Sequence, residues 1–415
     1  MTAADRAPAS GSGMRILYVT NGFPYPLTSG YLRHYFLIRE LSRRHAVSLL
    51  SIIGADFRQE HASALAPFTS AILTFASTAR SRSLRRKAVA RLRTLVLGRG
   101  TDDAVRQLVA AARALHREAP FDLLLVSGKR TYPVVPALAG IPVVADLCDA
   151  TSSRIRGSLR YAHRLQRPLL WLDYAAVRRA ERSLMAEADA LLFASARDLQ
   201  ELLGSGAAAT AGGPRATVVP NGVDLAYWVR GSPELGRDAI VFTGAMDYPP
   251  NEDAALFLVE TILPLVWARE PRAQLWIVGR DPTRRLLAAG GRVGVTVTGF
   301  VDDVRPYLER AAVFAAPLRF GAGIQNKVLE AMAMEVPVVA SPIAADGLRT
   351  EDGRDPPVAI GRTAEELAGL LAARLAAVRG DPTPDRTARA FVEAHFDWAR
   401  SAGRLERVLQ TVARG

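Results

Sequence analysis

Short apolar runs alternate along this chain with longer segments whose apolar residues recur every three or four positions. Arg15–Thr20, Ala46–Ile53 and Phe121–Ser127 have the length and composition of buried strands. Between the first two runs, Tyr31–Arg44 has apolar residues at helical spacing. Alternation of this kind is typical of parallel sheets flanked by helices, and it predicts an α/β fold.

The alternation occurs as two series separated by a linker. The first series reaches Ala216–Val219, and a stretch with two glycines and Pro233 follows before the apolar runs resume at Ile240–Thr243. A chain of 415 residues is also too long for one hydrophobic core, and its length favours about two domains. We therefore predict a disordered leader at 1–13, a first domain at 14–225, a linker at 226–237, a second domain at 238–385 and C-terminal helices at 386–415.

The segment Pro317–Ser341 (PLRFGAGIQNKVLEAMAMEVPVVAS) combines a loop, a helix and a strand around one lysine. Gly321 and Gly323 permit a loop that lies close to a ligand, and the residues after the loop have helical composition. A helix N-terminus presents unbonded N–H groups and a partial positive charge, so it suits an anion, and Lys327 adds a full charge there. Glu330 follows on the same helix face, where its carboxylate can accept hydrogen bonds from hydroxyl groups.

Lysine is a rare residue in this chain. Of the 53 basic residues, only Lys87, Lys129 and Lys327 are lysines. Lysine and arginine are not equivalent at a phosphate, because the ammonium group is a compact point charge and the guanidinium group is a planar fork. The lysine at the loop–helix junction therefore favours a functional role for Lys327 over a solvated surface position.

Composition limits the classes of protein that fit the chain. There is no run of about 18 apolar residues, so a transmembrane helix is not expected. Residues 1–13 lack the apolar core of a signal peptide. The one cysteine, Cys148, excludes an internal disulfide and a cysteine-rich metal site. We expect the chain to be cytoplasmic.

Positive charge is concentrated in the first half of the chain. Residues 1–225 contain 30 basic and 17 acidic residues, whereas residues 226–415 contain 23 and 24. Arg80–Arg99 holds eight basic residues and no acid, with apolar residues at helical spacing. Such a helix can dock on the anionic inner face of the cytoplasmic membrane, or its apolar stripe can pack on its own domain. No basic stretch is interleaved with aromatic residues, so nucleic acid is not an expected partner.

Several further stretches occur in an order that is shared with a known family. They are Val219–Asp224 (VPNGVD), Val241–Gly244 (VFTG), Leu275–Gly279 (LWIVG), Val297–Asp303 (VTGFVDD) and Gly323–Ala333 (GIQNKVLEAMA). Together they resemble glycosyltransferase family 4, with the closest likeness to bacterial subgroups that carry GIQNKVLEAMA and are associated with exopolysaccharide assembly. The resemblance implies a GT-B fold, in which two Rossmann-like domains face each other across a cleft and the C-terminal helix crosses back to the first domain.

The resemblance also implies a reaction and a set of site residues. A sugar would move, with retention, from a nucleoside diphosphate to an acceptor hydroxyl on a saccharide or lipid-linked substrate, in polysaccharide or glycolipid assembly. Lys327 and the loop N–H groups would stabilise the diphosphate leaving group without a metal or other cofactor, and Glu330 would hold the ribose. The expected donor-binding residues are Gly30, Gly244, Gly299, Phe300, Val301, Gly321, Gly323, Ile324, Gln325, Asn326, Val328 and Glu330.

On the acceptor side, the family often has a His-Asp pair after a strand of the first domain. Here Cys148 replaces the histidine, and Asp149 matches the aspartate. The resemblance makes Asp149 a catalytic candidate; its alternative role is to cap the helix that follows. Gly30 similarly matches a glycine that approaches the donor diphosphate, or else it only ends a loop.

Three departures from the family pattern concern charge. Ala322 stands where the donor segment usually begins with a glutamate that contacts the transferred sugar. Ala245 and Pro250 stand where the family usually has an arginine and often a lysine, so a phosphate-binding cation is missing. Arg319 lies in the same loop as the glycines and can replace that cation, or it is a surface arginine.

Two other functions remain open. A non-catalytic GT-B subunit would bind a nucleotide or a partner without transfer, and the missing arginine favours it, whereas Lys327 and Glu330 oppose it. A nucleotide-sugar epimerase shares the architecture and would consume donor without an acceptor. The base, the sugar and the acceptor are not determined by these residues.

Overall fold

The computed structural model describes residues 13–27, 31–55, 57–77, 103–204 and 215–414. These residues form two compact units. The first unit contains the described residues up to Ala194, then Asp198–Pro220 and the residues from Trp398, and the second contains Ser195–Arg197 and Asn221–Asp397. This division places 226–237 and all of 386–397 in the second unit, whereas the predicted spans made them a linker and part of the C-terminal helices.

Each unit is built around a parallel sheet. Among the described residues, the first sheet has seven strands in the order β3-β2-β1-β4-β5-β6-β7, and the second has six in the order β10-β9-β8-β11-β12-β13. The first set is β1 Arg15–Thr20, β2 Ala46–Ile53, β3 Ala71–Ala76, β4 Leu123–Ser127, β5 Val143–Cys148, β6 Ala190–Phe193 and β7 Arg215–Val218. The second is β8 Ala239–Thr243, β9 Gln274–Val278, β10 Val295–Val297, β11 Val313–Ala316, β12 Val338–Ala340 and β13 Ala359–Ile360.

Helices connect the strands in both units. In the first half of the described chain they are α1 Leu32–Leu41, α2 Gln59–Ser63, α3 Asp103–Glu118, α4 Val134–Ala137, α5 Thr151–Ser158, α6 Arg167–Glu187 and α7 Ala196–Leu203. They continue as α8 Pro249–Phe257, α9 Leu263–Trp267, α10 Arg284–Ala289, α11 Arg305–Glu309, α12 Asn326–Ala333, α13 Pro342–Asp346, α14 Ala364–Gly380, α15 Arg386–His395 and α16 Trp398–Arg414. The expected strand–helix alternation in two series is confirmed.

The first sheet has a hydrophobic core on each face, because successive side chains of a strand point to opposite sides. In β1, Leu17 belongs to one core cluster and Tyr18 to the other. The last helix covers the Tyr18 face with Leu405 and Leu409, both fully buried. The predicted return of the C-terminal helix to the first unit is therefore confirmed.

Sequence periodicity left some elements unassigned. Arg154–Glu187 reads as one long or broken helix, and the structure contains two helices, α5 and α6, joined by residues 159–166. Strand β3 and helix α3 were not predicted. Arg80–Arg99 lies outside the described residues. No helix among the described residues is long and apolar enough to cross a membrane.

Candidate functional site

The predicted donor residues lie at the point where the second sheet reverses its strand order. The chain passes from β8 outwards to β10, then returns to β11 beside β8 and continues to β13. In open parallel sheets, ligands bind outside the carboxyl ends of the strands at such a reversal. Gly244 follows β8, and the loop that contains Gly321 and Gly323 follows β11. The fold therefore brings these two loops to one edge of the sheet.

Lys327 lies in the first turn of α12, where it contacts one residue of β8 and one of α8. Its Nζ donates a hydrogen bond to Asn251 Oδ1 and lies 4.7 Å from the ring centroid of Phe242. Asn251 in turn donates from Nδ2 to the carbonyl of Ala245 at 2.9 Å. A Cβ added to Gly244 would lie 2.6 Å from Asn251 Nδ2 and 3.2 Å from Lys327 Nζ. A side chain at position 244 would therefore crowd Asn251 and the ammonium group of Lys327.

Lys327 and Glu330 form a coupled, partly buried pair. Burial lowers the pKa of Lys327 to about 7, although the charge of Glu330 opposes this shift. Burial likewise raises the pKa of Glu330 to about 7, against the opposing effect of Lys327. An anionic ligand beside Lys327 would favour its charged form and raise its pKa again.

The loop before α12 leaves backbone donors unused. Gly323 has a φ of 71°, a conformation that favours glycine. Within the described residues, no acceptor is paired with the amide N–H of Gln325, Asn326 or Lys327. With the dipole of α12, these amides and the ammonium group make a concentration of positive charge.

Two side chains from elsewhere in the second unit hold this loop and helix. Arg197 donates to the carbonyls of Gly321 at 3.1 Å and Ile343 at 3.2 Å. Asn221, in the VPNGVD stretch, donates from Nδ2 to Asn326 Oδ1 at 2.9 Å. Neither role was predicted from the sequence. The contacts fix the loop and the start of α12.

Arg319, the predicted replacement cation, is engaged by α8. Its Nε donates to Asp253 Oδ2 at 2.9 Å, and its Nη2 also binds Asp253. Its guanidinium carbon lies 4.7 Å from the ring centroid of Phe257. A bidentate ion pair of this kind neutralises much of the charge that a phosphate would require.

Three of the predicted donor-binding residues, Gly299, Phe300 and Val301, follow the edge strand β10. Gly299 has a φ of 71°, and Phe300 is 64% exposed. Val301 is half-buried. In contrast, the side chains of Ile324 and Val328 are buried, at 9% and 0% exposure. Phe300 thus offers an open ring face, whereas Val328 contributes packing to the core.

On the first unit, Asp149 is held by a lysine that the sequence analysis did not select. Lys129 Nζ donates to Asp149 Oδ1 at 3.4 Å, to the carbonyls of Leu147 and Asp149 at 2.7 and 3.1 Å, and to Thr151 Oγ1 at 2.9 Å. Burial would raise the pKa of Asp149, but Lys129 and Arg154 outweigh it and lower that pKa. Asp149 is therefore an ionised carboxylate at neutral pH.

A series of hydrogen-bonded polar side chains in the first unit leads from Tyr18, in the core, to Cys148. Tyr18 Oη lies 2.7 Å from His34 Nδ1, and Ser127 Oγ lies 3.1 Å from His34 Nε2 and 3.7 Å from Cys148 Sγ. Burial lowers the pKa of His34 to about 4 and raises that of Cys148 to about 12. The imidazole is therefore neutral and the thiol protonated at neutral pH.

The buried ion pair of Arg33 and Asp146 supports this end of β5. Arg33 Nε donates to Asp146 Oδ2 at 2.9 Å, and Arg33 Nη1 donates to the carbonyl of Val219 at 2.7 Å. Asp146 Oδ1 also accepts from the amide of Cys148 at 3.2 Å. Cys148 has a φ of 58°, which is uncommon for a residue other than glycine. The ion pair thus stabilises the turn that presents Asp149.

Asn251 and Lys129 were not predicted as site residues, although one feature of the sequence pointed to Lys129. Lys129 is one of three lysines, so the rarity that identified Lys327 applied to it equally. Asn251 has no such signal, because an isolated asparagine at a helix start is common. Gly30 lies outside the described residues. Among the described residues, no group of three His, Cys, Asp or Glu residues is placed to hold a metal ion.

Comparison with known proteins gives one partial match to a family and one to a curated relative. Residues 237–376 match the family model described as glycosyl transferases group 1. Over 214 residues, the chain is 33% identical to a phosphatidyl-myo-inositol mannosyltransferase of Mycobacterium leprae (strain TN). That match covers 48% of this chain and only 55% of the relative's length.

Similar solved structures cover nearly the whole chain. Anabaena Alr3699/HepE, in complex with UDP and glucose, has a TM-score of 0.65 at 15% identity and covers 96% of this chain and 100% of its own. Sucrose-phosphate synthase from Thermosynechococcus elongatus has a TM-score of 0.66 at 15% identity, with 96% and 98% covered. At such identities the similarity concerns the fold alone. Together with the two parallel sheets, it shows that the chain has the predicted α/β GT-B fold.

Proposed function

We propose that this chain is a glycosyltransferase that moves a hexosyl group from a nucleoside diphosphate to an acceptor hydroxyl. The observation that carries the proposal is the position of Lys327, at a helix N-terminus where the second sheet reverses its strand order. The match of residues 237–376 to glycosyl transferases group 1 supports the same assignment.

Lys327 and Glu330 would divide the donor between them. As the glycosidic bond breaks, negative charge grows on the diphosphate, and Lys327 with the amides of Gln325 and Asn326 would stabilise it. Asn251 would hold the ammonium group in place through its hydrogen bond. Glu330 would accept hydrogen bonds from ribose hydroxyls. In this proposal the leaving group is stabilised without a metal, and Arg319 contributes at most through the loop that it shares with the glycines.

We propose retention of the anomeric configuration, with Asp149 on the acceptor side. Retention needs no enzymic nucleophile if a donor phosphate oxygen takes the acceptor proton during front-face attack. Asp149, kept ionised by Lys129 and Arg154, would orient the acceptor or the reacting sugar. Polysaccharide or glycolipid assembly is the proposed setting, which the GIQNKVLEAMA stretch and the mannosyltransferase relative both support.

The deciding experiment is product analysis with a panel of UDP- and GDP-sugars, with and without an acceptor extract. UDP-glucose and a mannose donor are the first choices, given the UDP and glucose bound in the Anabaena protein and the mannosyltransferase relative. We expect free nucleoside diphosphate and a glycosylated product only when both donor and acceptor are present. Mass spectrometry would identify the product, and Lys327→Ala would serve as the control with strongly reduced turnover.

The two alternative functions give other results in this experiment. An epimerase would convert the donor to its epimer without acceptor. A non-catalytic subunit would bind donor, measured by calorimetry, and release no nucleoside diphosphate with any acceptor. Either result would overturn the proposed transfer.

A further inference from the structure

Helix α6 of the first unit is unusual for its length and exposure. It runs from Arg167 to Glu187, yet only Glu181 and Leu184 are buried in it. Its C-terminal part is anchored, because Glu181 Oε1 accepts from the amide of Ser152 at 3.1 Å. The part before Glu181 contains the apolar run 169–172, and a helix in a globular protein usually buries such residues against a core.

Among the described residues of the first unit, the most exposed large apolar side chains lie at and beside the turn between α5 and α6. We call residues 159–172 the hairpin surface. Leu165 is 82% exposed, Trp171 is 54% exposed and Tyr161 is 45% exposed. The ring of Trp171 packs edge-on against that of Tyr174, with centroids 5.4 Å apart. These side chains form an exposed apolar surface on the first unit.

The same surface is strongly positive. Residues 159–172 contain three arginines, Arg160, Arg164 and Arg167, and no acidic residue. Arg160 and Arg164 are exposed, and neither forms an ion pair with any described residue. The hairpin surface therefore combines unneutralised cations with exposed aliphatic and aromatic side chains.

We propose that the hairpin surface docks on a bilayer that contains anionic lipid. Arginines at such a surface contact lipid phosphates, and tryptophan and tyrosine are favoured at the level of the headgroups. Leu165 would enter the boundary of the acyl chains, which is how amphipathic helices gain binding from buried apolar area. Docking does not depend on the proposed sugar transfer, since no residue of this surface belongs to the donor site.

Charge and shape favour a bilayer over other occupants. A second copy of the chain would bring arginines against arginines in a two-fold contact. Arg80–Arg99 carries eight basic residues and no acid, so its charges would be repelled by this surface. Nucleic acid would pair with the arginines, but it gives no reason for an aliphatic side chain such as Leu165 to be exposed at the turn.

The test is co-sedimentation of the full chain with phosphatidylcholine vesicles, with and without phosphatidylglycerol. We expect binding only to the anionic vesicles, and weaker binding at high salt. The triple variant Arg160→Ala, Arg164→Ala, Leu165→Ser should lose binding by about tenfold or more, since each cation near the surface contributes. The matched control is Arg284→Ala, Arg285→Ala, Leu287→Ser in α10, where Leu287 is 50% exposed; it removes the same residue types and should bind normally.

A second measurement follows Trp171 directly. Anionic vesicles should shift the fluorescence of the wild-type chain to shorter wavelength, and Trp171→Phe should abolish that shift while the chain still sediments. Equal loss in the triple variant and its control would overturn the proposal. So would a loss of vesicle binding that appears only on Arg85→Ala, Arg86→Ala, Lys87→Ala substitution, or binding to duplex DNA without binding to vesicles.

Discussion

The chemistry of the candidate donor site depends on one face of α12. Lys327 lies in the first turn of the helix and contacts Asn251, and Glu330 lies one turn further along. Transition-state charge develops at the diphosphate, whereas the ribose changes little during the reaction. The two side chains should therefore affect different kinetic constants.

Lys327→Ala should lower kcat by about 10²–10³, because it removes one preorganised group that meets the growing charge. Lys327→Arg should restore little of the rate, since a planar fork does not fit the position of a point charge beside Gly244. Glu330→Gln should mainly raise KM for the donor. Steady-state kinetics would measure these effects, with Arg284→Ala as the control cation on the same unit. Near-normal turnover in a folded Lys327→Ala variant would place the diphosphate elsewhere.

The pair should also give a pH dependence whose direction follows from the shift. Burial lowers the pKa of Lys327 from 10.5 to about 7, so the free enzyme loses this charge as the pH rises through 7. We therefore expect kcat/KM for the donor to fall above pH 7. In kcat the same fall should occur at higher pH, because the bound diphosphate raises the pKa of the ammonium group.

The control for this profile is Lys327→Arg. A guanidinium group stays protonated throughout the measured range, so the alkaline fall in kcat/KM should disappear even though the rate is lower. An unchanged alkaline fall in Lys327→Arg would assign it to another group.

At the scale of elements, the last helix completes the core of the first unit. Leu405 is fully buried against strands and helix α1, and Trp398 stacks on Phe36 with centroids 4.7 Å apart. A helix that is distant in sequence thus supplies part of one sheet face.

Leu405→Ala should reduce the free energy of unfolding by about 2–5 kcal/mol, because it removes buried methylene groups and leaves a cavity. Thr411→Ala, an exposed position on the same helix, should change it by only about 0.5 kcal/mol. Urea denaturation followed by circular dichroism would compare the two variants. Similar effects of both substitutions would mean that α16 is not packed as described.

At the scale of the whole molecule, the two units have separate cores, and they differ in how continuous each is in the sequence. The second unit is almost continuous, from Asn221 to Asp397, whereas the first needs residues from both ends of the sequence. Charge is divided unevenly as well, since all of the excess of basic residues lies in residues 1–225.

We expect the fragment 221–397 to fold by itself, with cooperative thermal unfolding. The fragment 1–220 should not, because it lacks Trp398, Leu405 and Leu409 on one sheet face and would expose that face to solvent. Joining 398–415 to 1–220 through a flexible linker should restore a folded unit. Binding of a hydrophobic dye would distinguish these outcomes, and a compact, dye-free 1–220 fragment would contradict the expectation.

The alternation of apolar runs and helical segments by itself determined the α/β class and the two series of strands. These features are local, because strand and helix periods are properties of neighbouring residues. The glycine loop and the helix start around Lys327 could also be predicted from neighbouring residues. The rarity of lysine in the chain then indicated that this residue has a function.

Only the tertiary structure decided which side chains meet. Asn251 is 76 residues from Lys327, and Asp253 is 66 residues from Arg319. Sequence spacing gives no distance between residues on different strands, since the strand order of the sheet determines which loops become neighbours. For the same reason, only the fold distinguished the exposed apolar residues of the hairpin surface from a buried helix face. A hydrophobic pattern shows that residues are apolar, and packing determines which of them remain exposed.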